Sequence, residues 1–217
     1  MDRPIIKTRM RPDLYKASWG NFTISSPGKR GASSTTITST GSQTYTTPVG
    51  VDTFTITMYG GGGGGGALHS GRGADVDGGG GGGGSRIVVT LNEVPPGTVL
   101  TFNNGGGGAR GTDASLNAGD GGNTTLSYGG IDYVAGGGEG SAGGNVFLGA
   151  KDGTGGVADC DSGANCTATN GNVGSAKNTT TAAGAALGDS AGAGGAGGDA
   201  PAPGVGTAGS AGKIIIS

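Results

Sequence analysis

Residues 53–59 alternate strictly, with Phe54, Ile56 and Met58 on one face and threonines on the other. A repeat of two marks a half-buried β-strand, because successive side chains leave a pleated backbone on opposite sides. Residues 44–48 predict a shorter strand stopped by Pro48, and residues 49–52 predict the turn that joins the pair. Ile87, Val88, Val89 and Leu91 predict a strand over residues 85–91, and Val99, Leu100 and Phe102 another over residues 98–102. The connection between them carries Pro95, Pro96 and Gly97. Shorter β-segments follow at residues 123–128 and 131–135, whereas residues 150–191 hold the lowest density of strand formers. The chain closes on Lys213, Ile214, Ile215 and Ile216, a β-branched run that predicts a strand returning to complete the sheet begun at residue 53.

Between the strands the pattern dissolves into glycine. Seven glycines fill residues 60–66 and seven more fill 78–84, on either side of an eleven-residue insert. Ordering glycine costs more backbone entropy than ordering any other residue, and it leaves no side chain to bury. Such runs are either flexible linker or backbone packed too closely to admit a Cβ. Each run abuts a patterned strand and a strand closes the far end, which favours the packed reading. Glycine also recurs every third residue, at Gly192, Gly195 and Gly198 and again at Gly206, Gly209 and Gly212. That spacing suits the left-handed extended helix of three residues per turn, which has no internal hydrogen bonds. Every buried N–H and C=O of such a helix must then find a partner on a neighbouring segment.

The expected fold is all-β with a polyglycine helical bundle of the polyproline-II type. A small antiparallel sheet or sandwich would carry layered glycine-rich helices, with few or no α-helices. Residues 1–40 read as a basic N-terminal attachment arm, with room for a short helix at 10–16 broken by Pro12. Residues 41–217 read as the glycine-rich domain, closed by the strand at 213–217.

Composition sharpens this picture. Glycine supplies 56 of 217 residues, hydrophobic residues only 32% and charged residues 13%, so any conventional core is small. The net charge of −2 hides an asymmetry: seven basic and two acidic residues through residue 31, then six basic and thirteen acidic. A basic arm on an acidic body suits a solvated tail or docking onto an acidic partner. It has no dense Lys/Arg run and no nucleic-acid-binding motif, so nucleic acid is not an expected partner. No stretch approaches the roughly 20 apolar residues of a membrane span, and no secretory signal is expected at the N-terminus.

Candidate chemistry is sparse. His69 is the single histidine, with Asp75 and Asp77 close in sequence. A metal centre needs more ligands, and a catalytic histidine needs a partnered nucleophile or carboxylate, so a loop histidine is the simpler reading. Neither glycine run leads into the Lys-Ser/Thr of a phosphate loop. The acids Asp120, Asp132, Glu139, Asp152, Asp159 and Asp161 form no recognisable dyad. Enzymatic activity, catalytic residues, metals and cofactors are therefore not expected. Cys160 and Cys166 flank five polar and small residues. A loop-closing disulfide in an oxidising medium is the favoured reading, with two free thiols as the alternative.

Residues 45–59 followed by the run 60–66 resemble the opening of glycine-rich modules in bacteriophage tail-fibre and virion proteins. Residues 96–108, 121–130 and 134–140 look like later pieces of the same module, in the same order. The architecture is also similar to the adhesins at the tail-fibre tips of T-even-like phages. That resemblance implies a non-enzymatic virion protein, assembled in the host cytoplasm, whose inserts contact a protein or glycan receptor on a bacterial surface. Its implied contact residues are Leu68, His69, Arg72 and Asp75 in the insert 67–77, and Arg110 and Leu116 in 109–118, with 151–189 as a third insert. A structural virion protein of the capsid, tail assembly or decoration is the alternative, with the arm docking onto another virion protein. An ice-binding protein is a third reading with less support.

Overall fold

The computed structural model describes residues 33–67, 78–112, 115–144, 150–160, 165–174, 191–193 and 205–217. The expected short helix at 10–16, and the glycine triplet positions Gly195 and Gly198, lie outside them. Among the described residues there is no helix, and ten strands form two antiparallel sheets. The fold is all-β.

The first sheet runs in the order β1 (Thr35–Ile37), β10 (Lys213–Ile216), β3 (Phe54–Tyr59), β4 (Arg86–Leu91), β9 (Cys166–Thr169). The second runs β2 (Gly41–Thr46), β5 (Val99–Asn104), β6 (Thr124–Tyr128), β7 (Ile131–Ala135), β8 (Ala158–Cys160). The C-terminal isoleucines do return to the first sheet: Ile214 pairs with Met58 and Ile216 with Ile56. On the other side of β10, Ile37 pairs with Ile214, so β1 lies within the segment that the sequence assigns to the arm.

Alternation then decides what is buried. Phe54, Ile56, Met58, Ile87, Val89, Leu91, Ile214 and Ile216 point inward from the first sheet. Leu100, Phe102, Leu126, Tyr133 and Ala135 meet them from the second, in one shared core. Tyr45 on β2 packs edge-on against Phe54 on β3, with ring centroids 6.1 Å apart, and so links the two sheets. The β6–β7 hairpin turns through Gly129 and Gly130, whose φ angles of 62° and 79° suit the two-residue turn that matches strand twist.

Strands β8 and β9 form where the sequence holds few strand formers. They add to edges that stronger strands have already built, Ala158 opposite Ala135 on β7 and Cys166 opposite Val89 on β4. Cys160 and Cys166 are joined in a disulfide, with Cα atoms 6.4 Å apart. Because β8 and β9 belong to different sheets, this bond ties sheet to sheet as well as closing a loop.

Beyond the sheets the chain continues into the glycine segments, and both runs 60–66 and 78–84 are buried. Their hydrogen bonds repeat every third residue. Gly60, Gly63 and Gly66 donate to the carbonyls of Ser85, Gly82 and Gly79, at 2.9, 2.8 and 3.0 Å. Gly61, Gly64 and Ala67 donate to Gly122, Gly119 and Leu116, and Gly62 and Gly65 donate to Ser210 and Thr207. In return Gly138 and Ser141 donate to Gly61 and Gly64, while Gly108 and Gly111 donate to Gly62 and Gly65. The first run is thus bonded on all sides by other stretches of the same chain.

A buried polar seam joins sheets to glycine body. The Thr124 hydroxyl donates to the Tyr59 carbonyl at 2.7 Å and accepts the Gly105 N–H at 3.0 Å. The Asn104 amide donates to the Gly212 carbonyl at 3.2 Å and the Ser39 carbonyl at 3.0 Å, and the Ser85 hydroxyl donates to Gly136. Where ladder pairing ends and the three-residue pairing begins, side chains satisfy the backbone groups that neither pattern reaches.

Candidate functional site

The end of the glycine body away from the sheets gathers three connections. The first run ends at the fully buried Ala67, and the second starts at Gly78. Leu68, His69, Arg72 and Asp75, four of the residues implied as receptor contacts, fall between these points and outside the described residues.

The second connection is the tight turn after residue 109. Thr112 and Ser115 exchange backbone hydrogen bonds of 2.7 and 3.0 Å and so close the turn. Gly111 donates to Gly65, and the Leu116 carbonyl accepts from Ala67 at 3.0 Å, so the turn clasps the end of the first run. Leu116 is half-buried there and Arg110 is exposed. The third connection leaves at residues 143–144 and returns at 150. Gly143 lies so close that a Cβ on it would meet the Leu116 side chain and the Ala67 carbonyl. Leu116 is therefore brought against the root of the insert after Ala67 and of the connection after residue 143.

Glu139 is fully exposed, and its carboxyl is held below the usual carboxylate range by hydrogen bonds from the Thr154 side chain and backbone, with a lesser contribution from Lys151. Those bonds fix one segment against its neighbour. Among the described residues, no group of three or more His, Cys, Asp or Glu side chains converges as metal ligands would.

One device escaped the reading of the sequence. Asn117, Asp120 and Asn123 stand three apart, and their side-chain oxygens accept the N–H groups of Gly143, Gly140 and Gly137, at 3.4, 2.7 and 2.9 Å. On the exposed side of the body these side chains accept the N–H groups that backbone carbonyls accept elsewhere. The signal was present as Asn/Asp at intervals of three, matching glycines at intervals of three in an antiparallel partner.

No curated protein matches the sequence. A family model described as a glycine-rich domain matches residues 37–216, which takes in strands β2 to β10 and the glycine body between them. The chain belongs to this glycine-rich domain family.

Proposed function

We propose that the glycine segments are polyproline-II-type helices stacked into a bundle, and that the bundle serves as a stalk. Three observations support the helical reading: partners repeat every third residue, the runs are buried, and no residue of 60–66 has a left-handed φ. Gly206, Gly209 and Gly212 add to it. A Cβ on each would meet a carbonyl of residues 59–66, so over residues 206–212 the triplet glycine is the position facing the first run.

On this stalk the protein acts as a non-enzymatic phage virion protein, a tail-fibre adhesin that binds a protein or glycan receptor on the bacterial surface. The single observation that carries this reading is the clustering of Ala67, Gly111, Leu116 and Gly143. It draws the roots of the inserts 67–77 and 109–118, and of the connection that leaves at residue 144, to one end of the body, and a rigid scaffold presenting variable loops is a common design for recognition. The phage assignment rests on the resemblance of residues 45–59 and the glycine run after them to tail-fibre modules. A structural role in the virion is favoured instead by the basic residues before residue 32, which suit docking onto an acidic neighbour.

Exchange of residues 67–77 and 109–118 for those of a related chain separates the two. Purified protein carrying the exchange should lose binding to its original bacterial cells and gain it for the donor's. Binding to cells that is absent from the start, or indifferent to the exchange, would favour the structural role.

A further inference from the structure

We infer that the Cys160–Cys166 disulfide is a redox latch that locks the two arms of one lobe, residues 150–160 and 165–174, to each other across the two sheet edges, and that its loss loosens this lobe ahead of the rest of the fold. Cys160 ends β8 at one edge of the second sheet, and Cys166 begins β9 at the adjoining edge of the first. Each edge strand is held to its own sheet by a short ladder, three pairs for β8 and four for β9. Among the described residues the disulfide is the only bridge of its kind, and both cysteines are partly exposed, within reach of a reductant.

From these strands the chain runs into the outer layer of the glycine body. Gly153 and Gly156 donate to Gly80 and Gly83 at 2.9 and 2.8 Å, and Gly83 donates back to Asn172 at 2.8 Å. Gly171 and Gly174 donate to Gly156 and Gly153, which makes residues 150–157 and 170–174 one two-armed unit. The lobe also bonds to residues 136–142 and to Thr90, and through the β8 and β9 ladders to β7 and β4. None of the backbone bonds made by the N–H groups of residues 60–66 reaches it. The lobe lies on the second run, while the first run is enclosed by other segments. Loosening the lobe therefore leaves the pairing of residues 60–66 in place and takes only Ala158, Cys160 and Cys166 from the rim of the sandwich core.

The chemistry is thiol–disulfide exchange. A dithiol reductant attacks one sulfur as its thiolate, forms a mixed disulfide and closes on itself, leaving two cysteine thiols and one oxidised reductant. An oxidising medium holds the two arms together and a reducing one loosens them.

The test is hydrogen exchange on the full chain, oxidised and after reduction of the folded protein with dithiothreitol. The double variant Cys160→Ser/Cys166→Ser serves as a second route to the open state. The amides of Gly153, Gly156, Gly171 and Gly174 should exchange about tenfold faster or more once the short loop is opened. Those of residues 60–66 should be unchanged, and oxidised glutathione should restore the slow exchange in the reduced protein. Unchanged exchange in the lobe, or equal acceleration in the lobe and in residues 60–66, would overturn the latch.

Discussion

At the scale of single residues, the glycines differ sharply in what they tolerate. A Cβ on Gly108 would fall on the Gly119 carbonyl oxygen and the Gly64 nitrogen, both backbone atoms that cannot swing aside. A Cβ on Gly106, two residues earlier, would meet nothing nearer than Thr40 Cγ2 at 4.0 Å. Gly108→Ala should therefore cost about 3 kcal/mol or more, beyond ordinary overpacking, because backbone has to move. Gly106→Ala should be neutral or stabilising by up to about 1 kcal/mol, through the lost freedom of the unfolded chain. Denaturant unfolding of the two variants checks the pair, and equal effects would contradict the packing described. The sequence offered no means to tell these glycines apart, since both sit in the same run 105–108. What separates them is the direction each Cα–H bond takes relative to neighbours distant in sequence. The ladder of Asn117, Asp120 and Asn123 was hidden for the same reason: its spacing acquires meaning only beside Gly137, Gly140 and Gly143.

At the scale of elements, the strands that bury large side chains were legible and the others were not. Phe54, Ile56 and Met58 announced β3, and Ile87, Val89 and Leu91 announced β4, because inward positions must be apolar every second residue. Strands β8 and β9 contribute only Ala158, Cys160 and Cys166 to the rim of the core, and edge pairing, not propensity, makes them strands. The polar seam between sheets and glycine body was also out of view, since Thr124 and Asn104 look like ordinary strand residues. Thr124 is fully buried, and its hydroxyl serves both the Tyr59 carbonyl and the Gly105 N–H. Thr124→Val keeps the shape and removes both bonds, so it should destabilise the protein by about 1–3 kcal/mol. A shift in the thermal or denaturant midpoint measures this. No shift would mean that the seam is not where the two pairing patterns are joined.

At the scale of the whole molecule, a small sandwich closes one end, a glycine body with almost no side chains extends from it, and three connections gather at the far end. The sequence made the sandwich and the body legible, through alternation in the first and glycine spacing in the second. It placed candidate contacts in the inserts but could not bring Leu116 to the root of the insert after Ala67, because that contact depends on the antiparallel register of residues 116–122 against 61–67. Everything at the far end depends on the body being rigid, and rigidity depends on its backbone pairing. Fixing each residue costs roughly 1–2 kcal/mol of backbone entropy, and glycine lies at the expensive end. Amide hydrogen exchange of residues 60–66 is the most direct measurement of that pairing. Their N–H groups should exchange as slowly as those of Ile56 and Ile87 in the sandwich core, only when the whole domain unfolds. Exchange at the rate of an unstructured glycine chain, while Ile56 and Ile87 stay protected, would contradict it.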